Sequence, residues 1–177
     1  DGAYHFIQGL PLWSSSLALI IGGRPVFSIV HDPVLRETFV AQQGCGATCN
    51  GRRLAVSPKR DPGSLVLGTS IPPLAQVGRE ERDRAIALLR TASDNVFVIR
   101  PMAAVSLQLA YVAAGRLDGF WETGNDPGDW LAGSLLVTEA GGQATTFAGG
   151  EIATGDGILA GNRAIRDHLQ RAFRNCG

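Results

Sequence analysis

The sequence has little charge of either sign, and the charge it has is balanced. Only 18% of the 177 residues are charged, and 16 basic side chains offset 16 acidic ones. A chain without net charge sets up no overall field that would attract nucleic acid or an anionic membrane. We therefore expect neither partner, and any anion must be recognised by a local group of residues.

Long apolar runs and cysteines are also scarce. Apolar runs such as residues 17–21 are far shorter than the roughly 20 residues of a transmembrane helix. The three cysteines are Cys45, Cys49 and Cys176, an odd number without a recognisable secretory signal. This pattern predicts a reducing, cytoplasmic compartment. Cys45 and Cys49 could be half of a zinc site, but the scattered histidines supply no second ligand pair, so packing is the favoured interpretation.

Hydrophobic residues make up 45% of the chain, which is enough for a packed core in one domain or two small lobes. Residues 1–92 are predicted to form an N-terminal α+β lobe in which one helix accompanies an antiparallel meander. Asn50-Gly51 is a strong signal for a hairpin turn in this lobe. The strands predicted here are 16–21, 25–30, 37–41, 54–56 and 64–69.

Residues 93–177 are predicted to form a C-terminal α/β lobe, because strands and helices alternate there. Asn162 is expected to be the N-cap of the last helix. Helix 79–91 is the helix of the N-terminal lobe, and Ile86 and Leu89 are expected on its apolar side. The predicted helices are 79–91, 103–114, 129–140 and 162–174, and the predicted strands of the second half are 95–99, 117–121, 143–147 and 157–160.

Three acidic residues cluster between a strand and a helix. Glu122 ends an apolar strand, Asp126 follows it, and Asp129 stands at the start of a helix. Aspartate is among the best helix caps, so Asp129 could be an N-cap. Alternatively, Asp129 could bind a hard cation, because Mg²⁺ prefers carboxylate oxygens. Both interpretations remain open at this point.

The opening Asp1-Gly2-Ala3 allows two interpretations as well. Asp-Gly is most often an ordinary turn. The alternative is an anion site in which the amides of Gly2 and Ala3 lie at a helix start, where anions bind well.

These stretches together resemble the inositol monophosphatase family of Mg²⁺-dependent, lithium-sensitive phosphomonoesterases. Asp1-Gly2, Phe6, Gly9 and Pro11 follow the family motif Asp-Gly-Thr-x-Asn-Phe-x-x-Gly-x-Pro. Three further segments are similar to the family's: GCGATCNGRRL at 44–54, LAYVAAGRLDGFWE at 109–122 and TEAGG at 138–142. The resemblance runs over essentially the whole chain.

The resemblance implies an α/β protein with a layered α/β/α/β/α sugar-phosphatase fold. In that fold the N-terminal helices and first strands, one metal-binding Glu and the first motif Asp would precede residue 1. It also implies Mg²⁺ as cofactor, a small phosphorylated alcohol as substrate, and a homodimer. An apolar sheet face including some of Leu17, Leu19, Val26 and Ile29 would then be exposed.

The resemblance also assigns roles to individual residues. Asp1 and Asp129 would be metal ligands, and Asp1 and Ala3 would be catalytic. Gly2 and Ala3 would hold phosphate oxygens through their amides. Ala104 and Glu122 would contact the alcohol part of the substrate. The expected substrate is inositol monophosphate or a related sugar or polyol phosphate, with histidinol phosphate, fructose bisphosphate and a 3′-phosphoadenosine nucleotide as alternatives.

The chain departs from the family pattern at several of these positions. Ala3 replaces the family's Thr, and Gly128 replaces the Trp before the metal-binding Asp. Asp126 is acidic where the family often is not. The segment Ala-Ala-Val-Ser at 103–106 replaces Gly-Ser/Thr-Ala-Ala. The departures leave open a second hypothesis, a non-catalytic family member that acts as a binding or scaffold subunit.

Overall fold

The first sheet is an antiparallel meander in which the strands lie in chain order. The structure is a computed structural model, and the description of it is for residues 1–124, 126–152 and 156–174. The predicted turn at Asn50-Gly51 is confirmed, since both residues have the positive φ values, 47° and 79°, of a tight hairpin. The strands are β1 (Ser15–Ile21), β2 (Arg24–Asp32), β3 (Glu37–Gln42), β4 (Gly46–Cys49) and β5 (Arg52–Arg53).

The second sheet is mixed, with the order β7-β6-β8-β10-β9. Strand β6 is parallel to β7 and β8, whereas β10 is antiparallel to β8 and β9. Its strands are β6 (Val66–Thr69), β7 (Val98–Pro101), β8 (Gly119–Glu122), β9 (Gln143–Thr145) and β10 (Ile158–Gly161).

Two strand predictions were wrong. Residues 64–69 were expected in the antiparallel meander, but β6 is a parallel strand of the second sheet. A helical crossover to β7 brings the chain back in the same direction, and the buried Asp118 carboxylate accepts the Val66 N–H at 2.7 Å. Residues 54–56 do not form a strand, because the hairpin partner of β4 is already β5. The lobe boundary after residue 92 stays a prediction.

Five helices connect and cover the sheets in the described residues. Helix α2 begins earlier than predicted, and Gly78 interrupts it with a φ of 78° and a ψ of 175°. Its buried residues Ala85, Leu88 and Ala92 recur every three to four positions, whereas Ile86 lies off this face and is 42% exposed. The placement of Ile86 on the apolar side was therefore wrong. The helices are α1 (Ala3–Ile7), α2 (Leu74–Ser93), α3 (Val105–Ala113), α4 (Pro127–Glu139) and α5 (Arg163–Phe173).

The layers alternate as sheet, helix pair, sheet, helix pair. Helices α3 and α4 share a core with the inner face of the first sheet and with Phe120 of the second. On the other side of the second sheet, α2 and α5 pack against Leu67 and Trp121. The predicted layered α/β fold is confirmed. No described helix is both long and apolar enough to cross a membrane.

The outer face of the first sheet is apolar and partly open. Leu17 and Leu19 are about half exposed, as expected, whereas Val26 and Ile29 are intermediate. Cys45 and Cys49 are free thiols, and Cys176 lies outside the described residues.

The close approach of α3 and α4 determines where the site forms. A Cβ added at Gly133 in α4 would lie 2.4 Å from Leu109 Cβ in α3. Only glycine permits the two helices to pack at this distance. The start of α3 is thereby held beside the start of α4.

Candidate active site

A cavity of about 870 Å³ opens where three parallel strands end. Ser70 follows β6, Met102 follows β7 and Thr123 follows β8, and all three line the cavity. Ligands of open α/β sheets bind outside the carboxyl ends of such strands. Four acidic residues lie in the same wall: Asp1, Glu122, Asp126 and Asp129.

Asp1 lies at the start of α3. Its Oδ2 accepts the backbone N–H of Ser106 at 2.6 Å. Ala104, the N-cap of α3, gives no side-chain hydrogen bond, so the Asp1 carboxylate satisfies an amide that the helix leaves open. The Asp1 backbone is fixed too, because its N donates to the Ser14 carbonyl at 2.8 Å and its carbonyl accepts the Ser14 N–H at 2.9 Å.

Gly2 and Ala104 are close neighbours in the wall of the cavity. Gly2 has a φ of 83°, and a Cβ there would lie 3.0 Å from the Leu12 carbonyl oxygen and 3.1 Å from Ala104 Cβ. Glycine is therefore required sterically at this position. Ala104 itself adopts a left-handed conformation with a φ of 61°, which is unusual for a residue with a Cβ. The structure thus brings the predicted phosphate-binding and substrate-binding segments into contact.

Asp126, not Asp129, caps α4. Asp126 Oδ1 accepts the Gly128 N–H at 3.0 Å, and Pro127 opens the helix. The capping interpretation of Asp129 was wrong, and the Asp-Pro pair was a sequence signal that could have identified the cap. Asp129 lies in the first turn and lines the cavity.

Asp129 and Asp1 line the same cavity, although 128 positions separate them. Partial burial raises the pKa of Asp129, and the negative charge of Asp126 raises it further. Ser106 also joins them, since its Oγ donates to the Asp129 carbonyl at 2.9 Å.

Glu122 lies at the end of β8 between two donors. Ser70 Oγ donates to Oε1, and Trp130 Nε1 donates to Oε2 at 2.5 Å. Burial raises the pKa of Glu122 to about 7, against the effect of these hydrogen bonds and with smaller contributions from Asp129 and Asp126. The carboxyl group can thus hold or release a proton near neutral pH. Sequence reasoning missed Ser70 and Trp130, which no local motif associates with Glu122.

Tyr4 and His5 are at the mouth of the cavity, where Ala3 offers no hydroxyl. Tyr4 Oη accepts a hydrogen bond from Gln76 Nε2 at 2.8 Å, which joins α1 to the start of α2. His5 Nδ1 lies 2.8 Å from the Leu12 carbonyl oxygen, so this nitrogen carries the proton. Both residues line the cavity.

The residues present fit part of an Mg²⁺ site. Within residues 1–124, 126–152 and 156–174, no group of three or more His, Cys, Asp or Glu side chains is arranged to hold a metal ion. Mg²⁺ commonly binds through one or two carboxylates and completes its shell with water and substrate phosphate. Asp1 and Asp129 offer two such carboxylates on one cavity.

Fold and site together define an α/β protein with a candidate ligand-binding cavity that is lined by acidic residues and lies outside the carboxyl ends of parallel strands. The chain belongs to the inositol monophosphatase family, which it matches over residues 1–177.

Two curated relatives illustrate this membership. An inositol-1-monophosphatase of Mesorhizobium japonicum is 37% identical over 175 residues, which cover 98% of this chain and 65% of that protein. The Nus factor SuhB of Pseudomonas aeruginosa is 42% identical over 163 residues, which cover 92% of this chain and 60% of that protein. The chain thus spans between three fifths and two thirds of the length of these relatives.

Solved structures agree with the fold. The extragenic suppressor protein SuhB of Bartonella henselae has a TM-score of 0.91 and 38% identity, over 99% of this chain and 66% of that one. The inositol monophosphatase of Anabaena (Nostoc) sp. PCC 7120 has a TM-score of 0.91 and 31% identity, over 98% and 70% of the two chains.

Proposed function

We propose that the protein hydrolyses a small phosphate monoester with the help of Mg²⁺. One observation carries this proposal: the carboxylates of Asp1 and Asp129 lie on one cavity at the carboxyl ends of parallel strands. Relatives named inositol-1-monophosphatase at 37–39% identity support the same reaction.

Six residues of the cavity have a part in this reaction. Asp1 and Asp129 supply oxygen ligands to Mg²⁺, which when bound lowers the pKa of water and polarises a phosphoryl group. The amides of Gly2 and Ala3, which line the cavity, would donate to phosphate oxygens, and the Asp1 carboxylate would orient the attacking water. Glu122, whose pKa is raised to about 7, forms a hydrogen bond with a hydroxyl group of the alcohol next to Ala104.

The proposed substrate is inositol monophosphate or a related sugar or polyol phosphate, as the family resemblance implies. Neither Lys nor Arg occurs among the described lining residues, so in this proposal backbone amides and Mg²⁺ recognise the phosphate group. Histidinol phosphate, fructose bisphosphate and a 3′-phosphoadenosine nucleotide are the alternative substrates.

Phosphate release from a panel of phosphomonoesters tests the proposal. We expect phosphate release that depends on Mg²⁺ and is inhibited by Li⁺. We expect Asp129→Asn to lower the rate of release more than about a hundredfold, because losing a residue that only hydrogen-bonds to a metal ligand already lowers metal affinity or activity about 10–100-fold. Asp61→Asn is the matched control, because Asp61 only caps the short turn Pro62–Ser64. If the full-length protein released no phosphate from any ester, the proposal would be wrong.

A second candidate function is a non-catalytic binding or scaffold subunit. It is favoured by Ala3, which lacks a hydroxyl beside the candidate metal ligands, and by relatives named Nus factor at 41–42% identity. Calorimetry with Mg²⁺ separates the two candidates. Uptake that disappears in Asp129→Asn supports the enzyme, whereas no uptake by the full-length protein supports the scaffold.

The homodimer and the cytoplasmic location remain proposals drawn from the family resemblance. Exposed apolar side chains on the first sheet are compatible with association. A clean monomer in sizing chromatography at micromolar concentration would contradict the dimer.

A further inference from the structure

We propose that Ser106 is a positioning residue that fixes Asp1 and Asp129 relative to each other so that both can bind the cation. The inference rests on the proposed metal-dependent function. Ser106 stands in the segment 103–106, which departs from the family pattern, and no motif assigned it a role.

Ser106 contacts both candidate ligands through different groups. Its backbone N–H donates to Asp1 Oδ2 at 2.6 Å, and its hydroxyl donates to the Asp129 carbonyl at 2.9 Å. The residue has no exposed surface. One buried residue therefore connects the opening of the chain, the start of α3 and the start of α4.

The hydroxyl reaches another helix instead of its own. Ser106 is the second residue of α3, and the carbonyls three and four positions earlier belong to Ala103 and Met102, before the helix begins. Both carbonyls already accept Gln108 Nε2, at 3.4 and 3.0 Å respectively. The Asp129 carbonyl is the acceptor that the hydroxyl uses.

This arrangement is important for a hard cation. Mg²⁺ demands near-ideal octahedral geometry with oxygens about 2.0–2.1 Å away, so its ligands tolerate little relative movement. The Ser106 hydroxyl fixes the Asp129 backbone relative to the helix start that binds Asp1. Without the hydroxyl, α4 keeps its packing on α3 but loses this polar link at the metal end.

Ser106→Ala tests the inference, because it removes the hydroxyl and keeps the backbone N–H. We expect the Mg²⁺ dissociation constant, measured by calorimetry, to rise about five- to tenfold, as for loss of one ordinary hydrogen bond. Phosphate release should fall at limiting Mg²⁺ and recover at saturating Mg²⁺. Ser106→Cys, a weak donor of similar shape, should fall between Ala and Ser.

Ser134→Ala is the matched control. Ser134 is also buried in a helix, and its hydroxyl donates to the Leu131 carbonyl at 2.9 Å within α4. We expect both variants to lose similar thermal stability but only Ser106→Ala to lose Mg²⁺ affinity.

Two results would overturn the inference. Equal Mg²⁺ affinities in the two variants, with Asp129→Asn still abolishing binding, would make Ser106 a packing residue and leave the proposed function intact. No Mg²⁺ uptake and no hydrolysis by the unmodified protein would overturn the proposed function and the inference together.

Discussion

The two sheets of this protein differ in what lies at their ends. The first is a meander whose neighbours are joined by short turns, and none of the candidate site residues lies on its strands. The second contains parallel strands joined through helices, and loops from β6, β7 and β8 converge at one edge. Parallel strands place their carboxyl ends together, so the second sheet can build a cavity that a meander cannot.

The sheets differ in burial as well. The first sheet packs on α3 and α4 through one face only, while helices cover both faces of the second. Polar contacts secure the first sheet to α3 and to the turn after it: Tyr111 Oη donates to the buried Asp32 Oδ2 at 3.0 Å, and the Arg116 guanidinium donates twice to Glu37 at 2.6 Å. We expect changes near the second sheet to have larger effects.

The largest effect should come from Glu122 at the end of β8. Burial raises the pKa of Glu122 from 4.5 to about 7, so in this pH window the folded protein holds a proton that the unfolded chain releases. The associated stability is present below pH 4.5 and is lost as the pH rises through 7. We expect the loss by pH 8 to approach about 3 kcal/mol, and Glu122→Gln should abolish it.

Urea unfolding at pH 5 and pH 8 in EDTA measures this difference. Glu80→Gln, on the exposed side of α2, is the control and should keep the pH dependence of the unmodified protein. An unchanged pH profile in Glu122→Gln would show that the carboxyl group is not desolvated.

The next largest effect concerns the contact between α3 and α4. In Gly133→Ala the new Cβ would approach Leu109 Cβ to 2.4 Å, so the helices must separate. Overpacking of this kind costs about 1–3 kcal/mol, and we expect weaker Mg²⁺ binding because Asp129 moves with α4. The readouts are the free energy of unfolding and calorimetry.

Gly63→Ala is the control for this change. Its added Cβ comes no nearer than 3.6 Å to a neighbour, which is an ordinary contact. Equal stabilities of the two variants would show that α4 can shift at no cost.

Local signals predicted much of the fold but few of the contacts in the site. Asn50-Gly51 formed the expected turn, and Asn162 caps α5 by accepting the Ile165 N–H at 3.0 Å. Both results depend on neighbouring residues only. The place of β6 in the second sheet depends instead on partners such as Asp118, 52 positions away, which periodicity cannot identify.

The site divides in the same way. The family resemblance indicated Asp1 and Asp129, and the structure places both on one cavity, although their roles remain predictions. The partners that hold the site, such as Trp130 at Glu122 and Ser106 at Asp1, carry no signal of their own. Their contacts arise from helix packing, so only the folded arrangement reveals them.

A smaller, stabilising effect is expected at Ala104. A left-handed conformation costs a residue with a Cβ about 1–2 kcal/mol. Glycine avoids this cost, but it raises the conformational entropy of the unfolded chain, which partly offsets the gain in stability. We expect Ala104→Gly to raise the free energy of unfolding by about 0.5–1 kcal/mol on balance. Ala103→Gly, at the adjacent position without a positive φ, should lower it. Destabilisation by Ala104→Gly would show that the Cβ contact with Gly2 matters more than the strain.

The smallest effect is expected on the outer face of the first sheet. Leu19 is 51% exposed there, whereas Val30 on the inner face is fully buried. Leu19→Thr should change the free energy of unfolding by less than about 0.5 kcal/mol, but Val30→Thr, which buries a hydroxyl in the core, should cost about 1–3 kcal/mol. Urea unfolding of both variants checks the contrast. Equal losses would mean that another segment or molecule covers the outer face, and the contrast in burial between the two sheets would then disappear.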